Sequence, residues 1–193
     1  MARRRDRSRL TTLLRTERLT LRPFVADDFD ALYSYQSRPD VVRWLYWDAR
    51  SEVEVQASLE LKLESTGITV EGDVLSLAVV LNGTGELIGD LILHLLSVEH
   101  RTAEIGFIVH PDHQGLGYAT EAGRVMLRIA FGDLGLHRVI GRAEERNLGS
   151  VRVLEKLGMR QEAHLVENER VKGEWQSELV YAILEREWFA EHR

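Results

Sequence analysis

The chain has 193 residues, of which 44% are hydrophobic and 29% charged, with a formal net charge of −6 and no cysteine. One domain with its own core is the simplest arrangement for this length. No apolar run approaches the length that spans a membrane, and the lack of cysteine excludes a disulfide framework and a thiol nucleophile. Arginines near the start, without an apolar segment behind them, argue against a secretory signal and favour a cytoplasmic location.

The charge is distributed unevenly along the chain. Residues 1–9 contain five arginines and one aspartate, so they carry +4 and the rest of the chain carries −10. We predict that residues 1–13 form a basic, flexible tail and that residues 14–193 form a single domain. An acidic body suits basic substrates such as amines and disfavours specific binding of nucleic acid.

Hydrophobic periodicity predicts a mixed α/β fold, in which an antiparallel meander is followed by alternating helices and strands. Ser51 is expected to cap one helix, because Glu54 three residues later completes a capping box. The predicted elements, in chain order, are a strand at 17–24, helices at 27–36 and from 52, strands at 75–81, 86–96 and from 102, a helix from 118, a strand at 138–143, a helix at 147–158, and strands at 161–166 and 175–184 around a loop at 168–173.

The segment from Thr102 to Ala122 carries the clearest chemical signal. An apolar strand ends near Pro111, which cannot donate to a ladder, and Gly115 and Gly117 precede a helix. A glycine loop at a helix N-terminus attracts anions, because backbone N–H groups are free, the helix dipole is positive there and no side chain blocks a phosphate. The loop lacks the Gly-Lys-Ser/Thr ending and the three spaced glycines of the two commonest phosphate signatures.

Residues 114–119 read Gln-Gly-Leu-Gly-Tyr-Ala, a Q-x-x-G-x-A pattern that resembles the pyrophosphate loop of the GCN5-related N-acetyltransferase (GNAT) family. Further matches occur in family order at residues 103–107 (Ala-Glu-Ile-Gly-Phe), at 147–159 and at 172–175 (Lys-Gly-Glu-Trp). Together with residues 16–23 they resemble the branch that acetylates the N-termini of ribosomal proteins.

The resemblance covers about residues 14–188 and implies a central, mostly antiparallel sheet of about seven strands flanked by helices. It also implies that the strands from Thr102 and Arg138 splay apart, and that acetyl-CoA binds in the gap as a co-substrate without a metal. Backbone N–H groups there would pair with the pantetheine arm, and one would polarise the thioester carbonyl. The residues expected to contact acetyl-CoA are Phe107, Ile108, Val109, Gln114, Gly115, Leu116, Gly117, Tyr118, Ala119, Thr120, Asn147 and Ser150.

Glu104 is the expected general base. A carboxylate on a central strand must be paired, solvated or protonated, and in each state it could deprotonate or orient an amine. The alternative is that Glu104 only anchors a neighbouring segment by hydrogen bonds.

Asn147 and Ser150 have both a structural and a chemical interpretation. Asn147 is a good helix N-cap, with Ser150 at the third helical position, and the resemblance adds hydrogen bonds from both residues to the pantetheine and the thiolate. Many relatives place a tyrosine acid seven residues after this asparagine, where this chain has Leu154. Ser150 is therefore the expected replacement acid.

Three aromatic residues, Trp44, Tyr46 and Trp47, are expected either to line the acceptor pocket or to pack in the core. His110 and His113 flank a turn and do not form a metal-ligand pattern.

The implied function is direct acetyl transfer from acetyl-CoA to a primary amine, with a protein or peptide N-terminus as the preferred acceptor. The alternatives are a small amine, such as a drug or a polyamine, and a catalytically silent module that binds acyl-CoA. Homodimerisation is an expectation only at the level of the family.

Overall fold

One eight-stranded sheet organises residues 13–191, which are the part of the chain that the computed structural model describes. The order of its strands is β1-β2-β3-β4-β5-β6-β8-β7, and every neighbouring pair is antiparallel except β5 and β6. The strands are β1 (Leu14–Arg15), β2 (Leu19–Arg22), β3 (Val74–Leu81), β4 (Leu87–Ser97), β5 (Thr102–Val109), β6 (Arg138–Glu144), β7 (Arg160–Val171) and β8 (Glu174–Leu184).

The parallel pair β5 and β6 splays apart after three residues. Residues 102–104 pair with residues 138–140, whereas the rest of β5 pairs only with β4 and the rest of β6 pairs with β8. The two strands therefore leave a gap at their C-terminal ends, as the family resemblance implied.

Helices cover both faces of the sheet. They are α1 (Phe29–Gln36), α2 (Pro39–Val42), α3 (Glu52–Glu64), α4 (Tyr118–Arg128), α5 (Leu148–Lys156) and α6 (Glu185–Glu191). The larger apolar core packs α4 and α5 against one face, and a smaller core packs α1 and α3 against the other. Gly141 lets α5 approach closely, because a Cβ at this position would lie 2.5 Å from Leu154 Cδ2.

Most of the local predictions are confirmed. Ser51 caps α3 with the predicted capping box, since its backbone N–H donates to Glu54 Oε2 at 2.8 Å and the backbone N–H of Glu54 donates to Ser51 Oγ. The strand count is eight rather than about seven, because the two-residue β1 pairs with β2. The predicted tail lies outside the described residues except for Leu13, and helix α6 was not predicted.

The C-terminal strand pair differs from its prediction. Residues 168–173 were expected to form a loop, but β7 continues to Val171 and only Lys172 and Gly173 form the turn. Both turn residues have positive φ, 51° and 86°, which is the geometry of a tight hairpin whose twist matches its strands. The register shifts between Leu165 and Glu169, so the extra residues are absorbed as an irregularity within the strand.

Candidate active site

The gap between β5 and β6 opens onto two cavities that meet. The first has a volume of about 410 Å³ and follows the loop before α4, and the second has a volume of about 160 Å³ and lies over β5, β6 and β8. Both are bordered by Trp44, Leu45, Phe107, Asn147 and Ser150. These shared residues define what we call the junction.

The loop at the first cavity presents the N-terminus of α4. Gly117 is the N-cap residue with φ of 85°, and Gly115 has φ of 76°, so both adopt a left-handed conformation that favours glycine. Gln114 Nε2 donates to the carbonyl of Val109 at 2.9 Å, which ties the loop to the end of β5. The first backbone N–H groups of α4 and the positive end of its dipole therefore face the first cavity, where they would favour a phosphate.

A salt bridge from the N-terminal region braces this loop. Arg18 Nε donates to Glu121 Oε2 at 2.7 Å, and its Nη1 donates to the carbonyl of Leu116 at 3.0 Å. The guanidinium also lies over the ring of Tyr118, 4.6 Å from its centroid. Burial acts to raise the pKa of Glu121, but hydrogen bonds from Thr16 and Arg18 lower it below its usual value. Glu121 therefore stays ionised and holds Arg18 against the loop.

The end of β5 offers backbone donors to the gap. The N–H of His110 donates to the carbonyl of Ile88 on β4 at 2.7 Å. The backbone N–H groups of an antiparallel strand alternate in direction from one residue to the next. The N–H of Ile108 therefore also points toward β4, whereas the N–H groups of Phe107 and Val109 point toward the gap.

Eleven of the twelve residues expected to contact acetyl-CoA line the first cavity. The exception is Leu116, whose side chain is exposed and whose carbonyl accepts from Arg18. Arg152 and Lys156 also line the cavity, and the sequence analysis missed both. Their spacing of four residues on a helix, which places two cations on one face, was the available signal.

Asn147 performs its predicted capping role, because its Oδ1 accepts from the backbone N–H of Ser150 at 3.2 Å. Both residues lie at the junction. Leu154, at the position where many relatives have a tyrosine, is 1% exposed, packs in the core and lines neither cavity.

The second cavity is lined by carboxylates from four strands. Arg142 on β6 lies between two of them, with Nε 3.6 Å from Glu104 Oε2 and Nη1 3.6 Å from Glu178 Oε1. Arg142 pairs with Val180 in the β6–β8 register, so it is the diagonal neighbour of Glu178 on the same face of the sheet. The remaining carboxylates of the lining are Glu144 and Glu169.

Residues 18–160 match the model of the acetyltransferase (GNAT) domain family. The chain belongs to this family. The GNAT enzyme is similar to the uncharacterized N-acetyltransferase YnaD of Bacillus subtilis, with 34% identity over 90% of this chain and 97% of the relative. Its fold matches that of a GNAT-family acetyltransferase from Bacillus anthracis, with a TM-score of 0.81, 31% identity, and coverage of 91% and 99% of the two chains.

Two further relatives differ in the acceptors that their names state. The spermidine N(1)-acetyltransferase of Escherichia coli is 26% identical over 90% of this GNAT chain and 89% of its own. The putative ribosomal N-acetyltransferase YdaF of B. subtilis is 35% identical, but over only 55% of this chain and 58% of its own. The comparisons therefore establish that the chain belongs to the N-acetyltransferase family, but they do not identify its acceptor.

Two carboxylates of the second cavity have elevated pKa values. Burial raises the pKa of Glu104, and electrostatic interactions with Arg142 and His94 offset only part of this effect. Burial likewise raises the pKa of Glu178, while Arg142 lowers it and the charges of Glu169 and Glu104 raise it further. A carboxylate with a raised pKa is a stronger base, which suits proton transfer from an amine.

The predicted aromatic residues take different places. Trp44 lies at the junction, and the guanidinium groups of Arg43 and Arg146 lie 4.4 and 5.1 Å from the centroid of its ring. Tyr46 lines the second cavity, and its hydroxyl donates to Glu178 Oε2 at 3.4 Å. Trp47 lines neither cavity; the guanidinium of Arg50 stacks over it at 4.0 Å.

The second cavity, which we call the acidic cavity, contains four charged residues that the sequence analysis missed, namely Arg142, Glu144, Glu169 and Glu178. Glu178 stands at the start of an apolar run in β8, which is the same signal that pointed to Glu104 on β5. Glu169 was hidden because its segment was expected to be a loop. Within residues 13–191, no group of three or more His, Cys, Asp or Glu side chains is arranged to hold a metal ion. None of the helices in that range has the length and apolar character needed to cross a membrane.

Proposed function

We propose that this GNAT enzyme transfers the acetyl group of acetyl-CoA to a primary amine by direct attack of the amine on the thioester. The observation that carries the proposal is the junction, where Phe107, Asn147 and Ser150 border both the first cavity, beside the loop before α4, and the acidic cavity. A pyrophosphate at the loop and an amine in the acidic cavity would bring the two reacting groups together there. Such positioning removes much of the entropic barrier to the reaction.

The reaction forms one bond and breaks another. The amine nitrogen attacks the carbonyl carbon of the thioester, a C–N bond forms, and the C–S bond breaks to release the thiolate of CoA. An N–H of Phe107 or Val109 stabilises the developing oxyanion, a contribution of about 3 kcal/mol per donor. A cationic acceptor first gives one proton to Glu104, directly or through water, and its nitrogen loses a second proton to solvent once the C–N bond has formed. Ser150 donates a proton to the thiolate and regains one from solvent.

The acceptor that the cavity supports best is a small cationic amine. The cavity of about 160 Å³ is lined by Glu104, Glu144, Glu169 and Glu178 and by one arginine, so it attracts positive charge. The similarity to a spermidine acetyltransferase supports the same acceptor class. The proposal therefore moves the preference from a protein N-terminus to the small-amine alternative.

A protein or peptide N-terminus is the second candidate. It is supported by the motifs at residues 16–23 and 172–175 and by the partial similarity to YdaF. Its N-terminal ammonium would meet the same carboxylates, but the peptide would also have to extend past Tyr46 at the mouth of the cavity.

Turnover over a panel of amines tests the proposal. The purified protein is mixed with acetyl-CoA and either n-butylamine, 1,4-diaminobutane, spermidine or short peptides that begin with Ala or Ser, and thiol release is followed. We expect the small amines to be acetylated with a higher kcat/KM than the peptides. A preference for the peptides would support the second candidate, and a protein that binds acetyl-CoA but releases no thiol with any amine would be the silent module.

A further inference from the structure

One carboxylate oxygen of Glu178 is buried without a hydrogen bond within the described part of the chain. The residue is 7% exposed, and its Oε1 atom accepts no hydrogen bond from any residue between 13 and 191. Its other oxygen, Oε2, accepts from the hydroxyl of Tyr46 at 3.4 Å. Among residues 13–191, the nearest cationic atom to Oε1 is Arg142 Nη1, whose 3.6 Å separation makes an ion pair but is too long for a hydrogen bond. Burying a carboxylate oxygen without a hydrogen bond is costly, and native proteins rarely leave such an atom unsatisfied without a reason. Because Glu178 lines the acidic cavity, a ligand in that cavity can supply the missing donor.

The charges around the cavity do not balance within the protein. Arg146 pairs with Glu144 through its guanidinium and its backbone N–H, so that carboxylate already has a partner. Three carboxylates, Glu104, Glu169 and Glu178, then share the single guanidinium of Arg142 as the cation of the lining. Two positive charges are missing when all three carboxylates are ionised.

A single amine cannot supply both charges. The reacting amine must lose its proton before it attacks the thioester, and the proposed acceptor of that proton is Glu104. This transfer compensates one carboxylate and leaves Glu178 and Glu169 with the guanidinium of Arg142. A second cationic group on the same acceptor would restore the balance and would donate to Glu178 Oε1.

The geometry fits an acceptor with two amines a few carbon atoms apart. One guanidinium contacts both Glu104 and Glu178 at 3.6 Å, so a short molecule can reach from one carboxylate to the other. Tyr46 is 70% exposed and its hydroxyl lies at Glu178, so its ring can cover a bound ammonium group.

We propose that Glu178, assisted by Glu169 and Tyr46, binds a second ammonium group of the acceptor and thereby selects diamines and polyamines over monoamines. The inference rests on the proposed function, because it assigns the reacting amine to the Glu104 side of the same cavity. Glu178 is then a specificity residue, while Glu104 and the junction serve the chemistry.

The test compares two acceptors of equal chain length, 1,4-diaminobutane and n-butylamine. Binding is measured by calorimetry with protein saturated with CoA, and kcat and KM are measured with acetyl-CoA. The wild type should bind the diamine at least about tenfold more tightly than n-butylamine, because one hydrogen bond to a charged group contributes about that much to affinity. Glu178→Gln should raise the KM for the diamine by about tenfold or more, and this increase should be several-fold larger than its effect on the KM for n-butylamine.

Glu174→Gln is the matched control, because Glu174 lies on the same strand with a side chain that is 74% exposed and outside the cavity. Glu174→Gln should leave the affinity, kcat and KM for both acceptors unchanged. Glutamine has nearly the shape of glutamate and removes a buried charge, so Glu178→Gln should melt no lower than the wild type.

The proposal is overturned if the wild type binds the two acceptors with equal affinity, or if Glu178→Gln weakens the binding of both acceptors to the same extent. Acetylation of both amines with equal kcat/KM would overturn the second-ammonium site and leave the proposed function intact. If no amine is acetylated, the proposed function fails, and the calorimetric preference still decides whether Glu178 binds a second ammonium.

Discussion

Gly117→Val tests whether the loop before α4 is the phosphate site. Gly117 has φ of 85°, a conformation that costs an L-residue about 1–2 kcal/mol, so the variant should lose stability of that order. Inside the protein the new Cβ would lie 3.5 Å from Arg18 Nη2, which is an ordinary contact and permits folding. The remaining effect falls on the ligand, because the added side chain occupies the space where a pyrophosphate must approach the backbone.

Gly85→Val separates strain from binding. Gly85 also has a positive φ, 76°, and no heavy atom lies within 4 Å of a Cβ built there. It lies in the turn between β3 and β4, outside both cavities. Both variants should therefore lose a similar free energy of unfolding in a urea titration, of about 1–2 kcal/mol.

Calorimetry with acetyl-CoA should then distinguish the two variants. Gly117→Val should bind at least about a hundredfold more weakly, since backbone hydrogen bonds to a charged group contribute about 1.5–3 kcal/mol each and several are lost. Gly85→Val should bind like the wild type. A folded Gly117→Val protein with wild-type affinity would refute the assignment of this loop.

Three further predictions concern the reacting groups and the loop brace. Ser150→Ala should keep its melting temperature and its affinity for acetyl-CoA, because Asn147 still caps α5, but its kcat should fall at least about tenfold; an unchanged kcat would exclude Ser150 as the acid. Wild-type kcat/KM should fall as the pH drops through the raised pKa of Glu104. Glu104→Gln should slow turnover most at low pH, where the acceptor is largely protonated while Glu104 is still ionised in the wild type. Identical pH profiles of the wild type and the variant would exclude Glu104 as the base. Arg18→Ala should raise the KM for acetyl-CoA several-fold without changing kcat, since it releases the carbonyl of Leu116 and the partner of Glu121, and an unchanged KM would mean that the brace does not position the loop.

The sequence predicted what depends on neighbouring residues. The capping box of α3, the cap at Asn147 and the glycine loop before α4 are set by residue types within a few positions of one another. Their chemistry is local, so reading the chain in order was sufficient for them. The splayed strands came from the family resemblance rather than from this local chemistry.

The acidic cavity depends on strand order, which local patterns do not specify. Arg142 meets Glu178 because β6 pairs with β8 in a particular register, and Arg18 meets Glu121 across 103 positions of the chain. The length of β7 was underestimated because its middle is polar and exposed, as suits an edge strand, so its pattern resembled a loop. Trp47 could not be assigned from composition alone, since only the fold turns it toward Arg50 and away from the cavities.

A crystal structure with CoA and 1,4-diaminobutane bound tests the account most directly, because it locates both reacting groups at once. The account predicts the pyrophosphate over residues 115–119, the sulfur at the junction beside Phe107 and Ser150, and one amine near Glu104 with the other at Glu178. A sulfur atom away from the junction, or a diamine outside the acidic cavity, would contradict it.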